Sequence, residues 1–206
     1  MHRLVPGGLA LVMLVSNNSH VRASSTRQSL QKVALRLFLE RGYDTVSVAT
    51  VAKAAGVSHM TFFRHFPTKE SVIVGDLFDP ALAAAVAAQP RSWTPLRRTV
   101  HGILAAMTSP EAEEELASAE FADRIRLVAE TPSLRGAVWA SSAATEDALF
   151  RALAESGSGV PAARAAAGAV MGAATAILLD WAATPGKGGP SEALTEGLGS
   201  LIEASS

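Results

Sequence analysis

The stretch from Ser47 to Phe66 limits what this chain can fold into more than any other. Ser47 is a good N-cap residue, and Val48, Val51, Ala52 and Ala55 supply one apolar helical face. Gly56 stops that helix after about two turns. Val57 is apolar, Ser58 is the next N-cap, and a second short helix is expected from His59 to Phe66, ended by Pro67. Ala52 is small enough to let the two helices cross closely, with Gly56 at the bend. Ahead of them Leu30, Val33, Ala34, Leu37 and Phe38 recur at helical spacing, which predicts a longer packing helix over 26–41. Gly42 follows where a left-handed C-cap residue belongs. A packing helix, a short helix, a tight glycine turn and a second short helix make a helix-turn-helix.

The rest of the chain also reads as helix. Thr68 caps a fourth helix expected from Lys69 to Ala88. Proline and glycine punctuation then sets helices over 95–107, 110–130, 133–155, 161–183 and 191–204. Glu111, Glu113, Glu114 and Glu115 favour the start of the second of these through the helix dipole. No period-2 strand pattern and no repeat is visible. Hydrophobic residues make up 49% and much of that is alanine, which suits close helix–helix contacts. The fold class is therefore all-α, with an N-terminal three-helix head over 24–70 and a larger helical domain over 71–206. Residues 1–23 stand apart: the apolar run Leu4–Val15 is broken by Pro6, Gly7 and Gly8 and is too short to span a membrane. We expect this segment to be disordered, or to reflect a start assigned too far upstream, with Met13 a candidate true start. Ala165–Ala183 is apolar, but Arg164 and Asp180 bracket it, and it reads as a packed helix with no role in a membrane.

Charge separates the two parts. Residues 1–70 carry nine Lys and Arg against three Asp and Glu, a surplus of six; residues 71–206 carry nine against sixteen, a deficit of seven. A basic head on an acidic body fits a nucleic-acid-binding module on a domain that avoids phosphate. There is no cysteine, which excludes disulfides, thiolate catalysis and cysteine metal sites.

The third helix carries the sharpest chemistry. A recognition helix needs base-reading and phosphate-reading side chains on one face and a packing face opposite. His59, Met60 and Phe63 are placed to reach bases; Thr61, Arg64 and His65 to reach phosphates; Phe62 and Phe66 read as core. In an isolated helix these polar residues would be a solvated face, but this helix follows a recognisable turn. Lys69 and Ser47, near helix starts, are further phosphate candidates, and Arg22 and Arg27 a minor-groove or backbone arm.

These residues carry a resemblance. Ala34, Phe38, Gly42-Tyr43, Val51-Ala52, Ala55-Gly56-Val57-Ser58, Thr61-Phe62-Phe63, His65-Phe66-Pro67 and Lys69-Glu70 together resemble the DNA-binding domain of the tetracycline-repressor family of bacterial regulators. The resemblance implies a homodimer on a palindromic operator, an all-helical ligand-binding and dimerisation domain, a cytoplasmic location and ligand-induced release of DNA. It implies phosphate contacts from Ser47, Thr61, His65 and Lys69 and base contacts from His59, Met60 and Phe63. Phe63 stands where tyrosine is frequent, and Ala49 where some members carry a base-reading side chain, so the operator sequence stays open.

Arg124–Arg135 is similar to a segment of regulators related to the mycofactocin-system repressor, which implies an acyl-CoA-like effector and no other cofactor. Leu104, Met107, Ile125, Val128, Trp139 and Phe150 are candidate apolar lining, and Arg97, Arg98, Arg124 and Arg126 candidate phosphate partners. The same residues read more readily as plain core and plain surface. Ala165, Ala169, Gly172, Ala173 and Ala176 make a small-residue stripe, and Leu194, Leu198, Leu201 and Ile202 an apolar face, together half of a four-helix dimer seam or an intramolecular one. An enzyme is not expected. Gly186-Lys187-Gly188-Gly189 lacks phosphate-loop spacing, and the five histidines are scattered. A helical adaptor without DNA binding is the alternative.

Overall fold

The computed structural model describes residues 20–75, 80–184 and 188–203. The apolar 1–19 segment with its Met13 start, the Arg22 side chain and residues 185–187 of the second Gly/Pro loop lie outside the described residues. Among the described residues there are eleven helices and no strand, the all-α class that the periodicity predicts. They form two compact units. One joins residues 20–75 to Ala119–Ser141; the other joins 80–118 to 142–203.

The first unit holds the head. α1 (His20–Arg41) buries Leu30, Ala34, Leu37 and Phe38 of the predicted stripe and leaves its Val33 half-buried. α2 (Val48–Ala54) begins at Ser47, whose hydroxyl accepts the Thr50 amide at 3.1 Å. The turn after it closes with the Gly56 amide on the Lys53 carbonyl (3.1 Å) and the Val57 amide on the Ala52 carbonyl (3.0 Å). Gly56 has φ +68°, and a Cβ there would meet nothing within 4 Å, so glycine is required by backbone conformation and not by space. α3 (His59–His65) begins at Ser58, whose hydroxyl accepts the Thr61 amide at 3.0 Å. Val51, Ala52, Phe62 and Phe66 close the core beneath.

Two expected helices are each broken in two. The fourth starts two residues later than foreseen: Thr68 and Ser71 exchange amide-to-hydroxyl bonds, both 3.1 Å, across a turn, and helix begins at Ser71 instead of Lys69. This α4 (Ser71–Val74) lasts only one turn and ends at Gly75, φ +65°. Helix resumes as α5 (Pro80–Ala87), whose first residue has no amide hydrogen to continue a helix. The expected 110–130 helix splits into α7 (Pro110–Ala117) and α8 (Ala119–Glu130). Between them Ser118 is extended (φ −72°, ψ 144°), and its hydroxyl donates to the Glu115 carbonyl at 2.7 Å, the local bond by which serine competes with helix. α8 packs on α1 and α4, burying Phe121, Leu127 and Val128 and pairing Glu120 with Lys32 at 3.9 Å. The head's compact unit thereby takes in residues that the sequence reading put in the body.

In the second unit α6 (Pro95–Ala106) packs against α5, α10 (Val160–Ala183) and α11 (Pro190–Glu203). α9 (Pro132–Glu155) contributes its C-terminal part. Arg98 of α6 is 1% exposed. It donates to the Ser156 and Ser158 hydroxyls at 2.7 and 3.2 Å, and its Nε has no partner. These serines follow the carbonyl end of α9, whose dipole offsets the buried charge. Arg98 is thus a packing cation, not the ligand contact expected of it.

α10 buries Ala163, Ala166, Ala167 and Val170 and leaves Ala165, Ala169 and Ala176 exposed. By length and composition it could cross a membrane: its apolar window has a mean hydropathy of 1.6, with only 22% of it buried within the chain. Leu194 and Leu198 of α11 are buried inside this unit, so that part of the expected seam is intramolecular.

Candidate nucleic-acid interface

α3 has two chemically different faces. Phe62 and Phe66 are fully buried, while Met60 is 80% and Phe63 39% exposed. His59 and Arg64 are exposed beside them. Positions 59, 60, 63 and 64 share one side of a helix, so three of the predicted base-reading residues and one phosphate-reading residue form one patch. The patch is anchored. Phe63 meets buried Phe62 edge-on at 5.4 Å, and His59 meets Phe63 edge-on at 4.8 Å. An exposed aromatic held this way loses little further rotamer freedom when it docks.

The hydroxyls predicted to reach phosphate are already in use. Thr61 Oγ1 lies 2.9 Å from Ser58 Oγ, and Ser47 Oγ lies 2.9 Å from Thr50 Oγ1. Each pair shares one hydroxyl proton internally and keeps one for an outside acceptor. Thr50 and Ser58 belong to this arrangement although sequence reading gave them no phosphate role; the Ser-x-x-Thr spacing repeated at 47/50 and 58/61 is the signal for both.

His65 is half-buried. Burial, then the charges of Arg64 and Arg27, hold its imidazole below the usual histidine range. At neutral pH it presents a neutral ring, which offers one N–H donor. Lys69 does not point outward. Its ammonium donates to the Tyr43 carbonyl at 2.6 Å and lies 4.0 Å from the centre of the Tyr43 ring. Burial pulls its pKa down against the opposing pull of Asp44 and Glu70. The Tyr43 hydroxyl donates to Glu70 at 3.0 Å; burial foremost, with Glu70 beside it, pushes this phenol well up. Burial alone would raise Glu70, but bonds from its own amide, Tyr43 and Thr68 and the Lys69 charge hold it below the usual carboxylate range. The expected phosphate lysine is therefore the centre of an internal network that ties the end of the α1 turn to the start of α4.

Arg27 also differs from its expected role as an arm. It donates from Nη1 to the His65 carbonyl at 2.6 Å and stacks 4.4 Å from the centre of the Phe66 ring. The two residues are 38 positions apart, so no local pattern announces the contact.

The expected effector residues fall into both units. In the body Leu104 is half-buried and Met107 buried. In the head's unit Val128 is buried, Arg124 lies over the Phe121 ring at 5.2 Å and Arg126 pairs with Asp123 at 3.1 Å. Ile125 is half-buried there and Trp139 is 58% exposed. Phe150, in the body, carries the Arg164 guanidinium 3.8 Å from its ring centre. Arg97 stacks at 4.5 Å on Trp93. Among the described residues no cluster of three or more His, Cys, Asp or Glu is placed to hold a metal.

An α3 with a buried aromatic face and an exposed His-Met-Phe-Arg face, joined to α2 by the four-residue glycine turn 55–58, defines a class. Residues 30–74 match the family model described as bacterial regulatory proteins, tetR family, and residues 91–205, more than half the chain, match the MftR C-terminal domain. The chain belongs to the tetR family. It is 34% identical over 134 residues to the HTH-type transcriptional regulator TcmR of Streptomyces glaucescens, a match covering 63% of this chain and 59% of TcmR. It is 30% identical over 116 residues to MftR, the proposed mycofactocin biosynthesis transcriptional regulator of Mycobacterium tuberculosis, covering 55% of this chain and 57% of that one. The matches thus span less than two thirds of either relative. The fold resembles that of NalD, the secondary repressor of the MexAB-OprM multidrug efflux pump in Pseudomonas aeruginosa. The TM-score is 0.56 at 20% identity, over 89% of this chain and 96% of NalD. It also resembles the fatty acid degradation regulator FadR of Bacillus halodurans, with a TM-score of 0.51 at 18% identity, over 85% of this chain and 97% of FadR.

Proposed function

We propose that this chain is a dimeric, ligand-responsive transcriptional regulator that represses by occupying a palindromic operator and leaves it when a small molecule binds. The observation that carries the reading is the exposed, anchored face of α3, with His59, Met60 and Phe63 toward base edges and Arg64 toward phosphate. Ser47, Thr61, His65 and Lys69 complete the proposed contact set, Lys69 only by exchanging its carbonyl bond for a phosphate. Two heads in successive major grooves stand roughly 34–36 Å apart, one turn of DNA. A regulator acting on the chromosome in this way would work in the cytoplasm.

The body supplies dimerisation and sensing. The exposed Ala165–Ala169–Ala176 stripe of α10 suits a second copy better than lipid, because small side chains permit close helix approach and Arg164 at its start bonds Asp147 at 2.6 Å. For the effector we favour an acyl-CoA-like molecule taken up in the body, with Leu104 and Met107 as apolar contacts. The match of residues 91–205 to the MftR C-terminal domain supports an effector of that subgroup.

The test is fluorescence anisotropy on DNA upstream of the protein's own and neighbouring genes, over a salt series, with and without acyl-CoAs. Tight, salt-sensitive binding that resists random competitor and is lost with acyl-CoA is expected. No affinity even for random duplex at low salt would defeat the reading and favour a helical adaptor.

A further inference from the structure

The contact between Arg27 and the far end of α3 goes beyond that reading, although it rests on it. α3 is two turns long, and its last carbonyls have no partner within the helix. Helix is left at once, at Phe66 in extended conformation (φ −138°, ψ 106°), before Pro67. So short a helix has little intrinsic stability, and its direction must be fixed from outside. The cap at Ser58 and the buried Phe62 fix the start and middle. Arg27, from α1, supplies the end. It donates to the His65 carbonyl at 2.6 Å, and its guanidinium carbon lies over the fully buried Phe66 ring, 4.4 Å from the centre. A cation there also meets the negative end of the α3 dipole.

We propose that Arg27 is a positioning residue: it clamps the carbonyl end of the DNA-facing helix and so sets where Arg64 and His65 meet the phosphate backbone. A clamp of this kind has a second consequence. The charged groups facing the His65 imidazole are Arg64 on its own helix and Arg27 from α1, and both disfavour a third positive charge. His65 is therefore kept neutral first by burial, then by Arg64 and by Arg27, the residue that holds its carbonyl. Protonating it adds a cation beside DNA, so affinity rises as pH falls through its lowered pKa. Removing Arg27 moves that rise to higher pH, and Arg27→Lys, which keeps the charge, separates the part due to charge from the part due to burial.

The experiment compares the full chain with Arg27→Met, which keeps the stem, and Arg27→Lys, which keeps the charge. The His65 ring proton is followed by NMR through a pH titration without DNA, assigned by its loss in His65→Gln. In parallel, anisotropy on a labelled random-sequence duplex at low salt is read at several pH values. We expect Arg27→Met to titrate His65 at higher pH, to weaken binding on the order of tenfold at neutral pH, as loss of a charged hydrogen bond implies, and to shift the affinity profile the same way. Arg27→Lys should restore most of the His65 titration and part of the affinity. Should Arg27→Met fail to fold, Phe66→Leu, which removes the stacking ring and keeps the charge, should weaken binding and leave the titration near wild type. An unchanged His65 titration and unchanged affinity in Arg27→Met would overturn the clamp. No binding by wild type would defeat the DNA reading and Arg27's part in it; the titration would still decide the contact between Arg27 and His65.

Discussion

Replacing Gly102 by alanine should destabilise the body, although alanine is the better helix former. Gly102 lies inside α6 where α5 crosses it. A Cβ built there falls 2.5 Å from Val86 Cγ2, 2.6 Å from Val86 Cα and 2.8 Å from Val86 N. The methyl of Val86 can rotate away, but its Cα and N are backbone. Carbon atoms prefer to sit about 3.5–4.0 Å apart, so the two helices must part by roughly 1 Å. Overpacking costs about 1–3 kcal/mol, and a clash with backbone belongs at the upper end. Helix propensity returns about 1 kcal/mol. The net loss is about 2 kcal/mol, or roughly 4–8 °C in Tm for a chain of this size. Gly136 in α9 is the control: it is exposed, and a Cβ there meets nothing within 4 Å. Gly136→Ala should gain up to about 1 kcal/mol. Urea and thermal unfolding followed by circular dichroism measure both, at one fixed protein concentration because association raises Tm. A Gly102→Ala protein as stable as wild type, with an unchanged m-value, would refute the close crossing of α5 and α6.

Arg64→Gln should reduce the slope of log affinity against log salt by about one, whereas Met60→Ala should alter the preference between operator variants at constant slope; salt-series anisotropy separates the two. Tyr43→Phe removes the bond to Glu70 and should cost about 1 kcal/mol at neutral pH. Because Glu70 is held below its ordinary value in the folded chain, its contribution is present above the unfolded pKa and lost as pH falls through the folded one. Urea midpoints should therefore converge for wild type and Tyr43→Phe as pH falls from neutral through the ordinary glutamate range and below it. Ala169→Glu puts a charge in the proposed α10 seam and should weaken self-association at least about a hundredfold, read by sedimentation, with helix content unchanged.

What sequence showed and what it hid follow from the range of the forces involved. The caps at Ser47 and Ser58, the Gly56 turn and the buried face of Phe62 and Phe66 are set by contacts within about five residues, and all were legible. The breaks at Gly75 and Ser118 were harder. Apolar periodicity continues through both, and only the backbone at one residue decides. Gly75 and Pro80 were visible as breakers; the extended Ser118 had no comparable mark. The partners of Arg27, Lys69 and Arg98 were hidden because each is a long side chain reaching another segment. Lys69 crosses to Tyr43, 26 residues away, and Arg98 to Ser156 and Ser158, 58 and 60 residues away. Charge counted along the sequence cannot tell a cation facing solvent from one bound to a carbonyl.

That distinction changes what the basic head can do. Of its cations, Lys32 pairs with Glu120 and Arg36 with Glu40. Arg27 and Lys69 each donate to a backbone carbonyl at 2.6 Å. Arg41, Lys53 and Arg64 are exposed, and their side chains make no hydrogen bond or ion pair among the described residues. Among the described residues only these last three are available to phosphate without first breaking a contact, so the described cations of the head would release fewer counterions on docking than their number suggests. The carbonyl-bound pair acts at a different level. Neutral hydrogen bonds at those two carbonyls would leave the short helices marginal, whereas charged donors are roughly twice as strong. The head thus uses part of its positive charge to hold α3 and the start of α4 in place. A rigid reading helix with few free cations fits selection among DNA sequences better than tight non-specific adhesion, because phosphate contacts add affinity without discrimination and base contacts discriminate only from a fixed position.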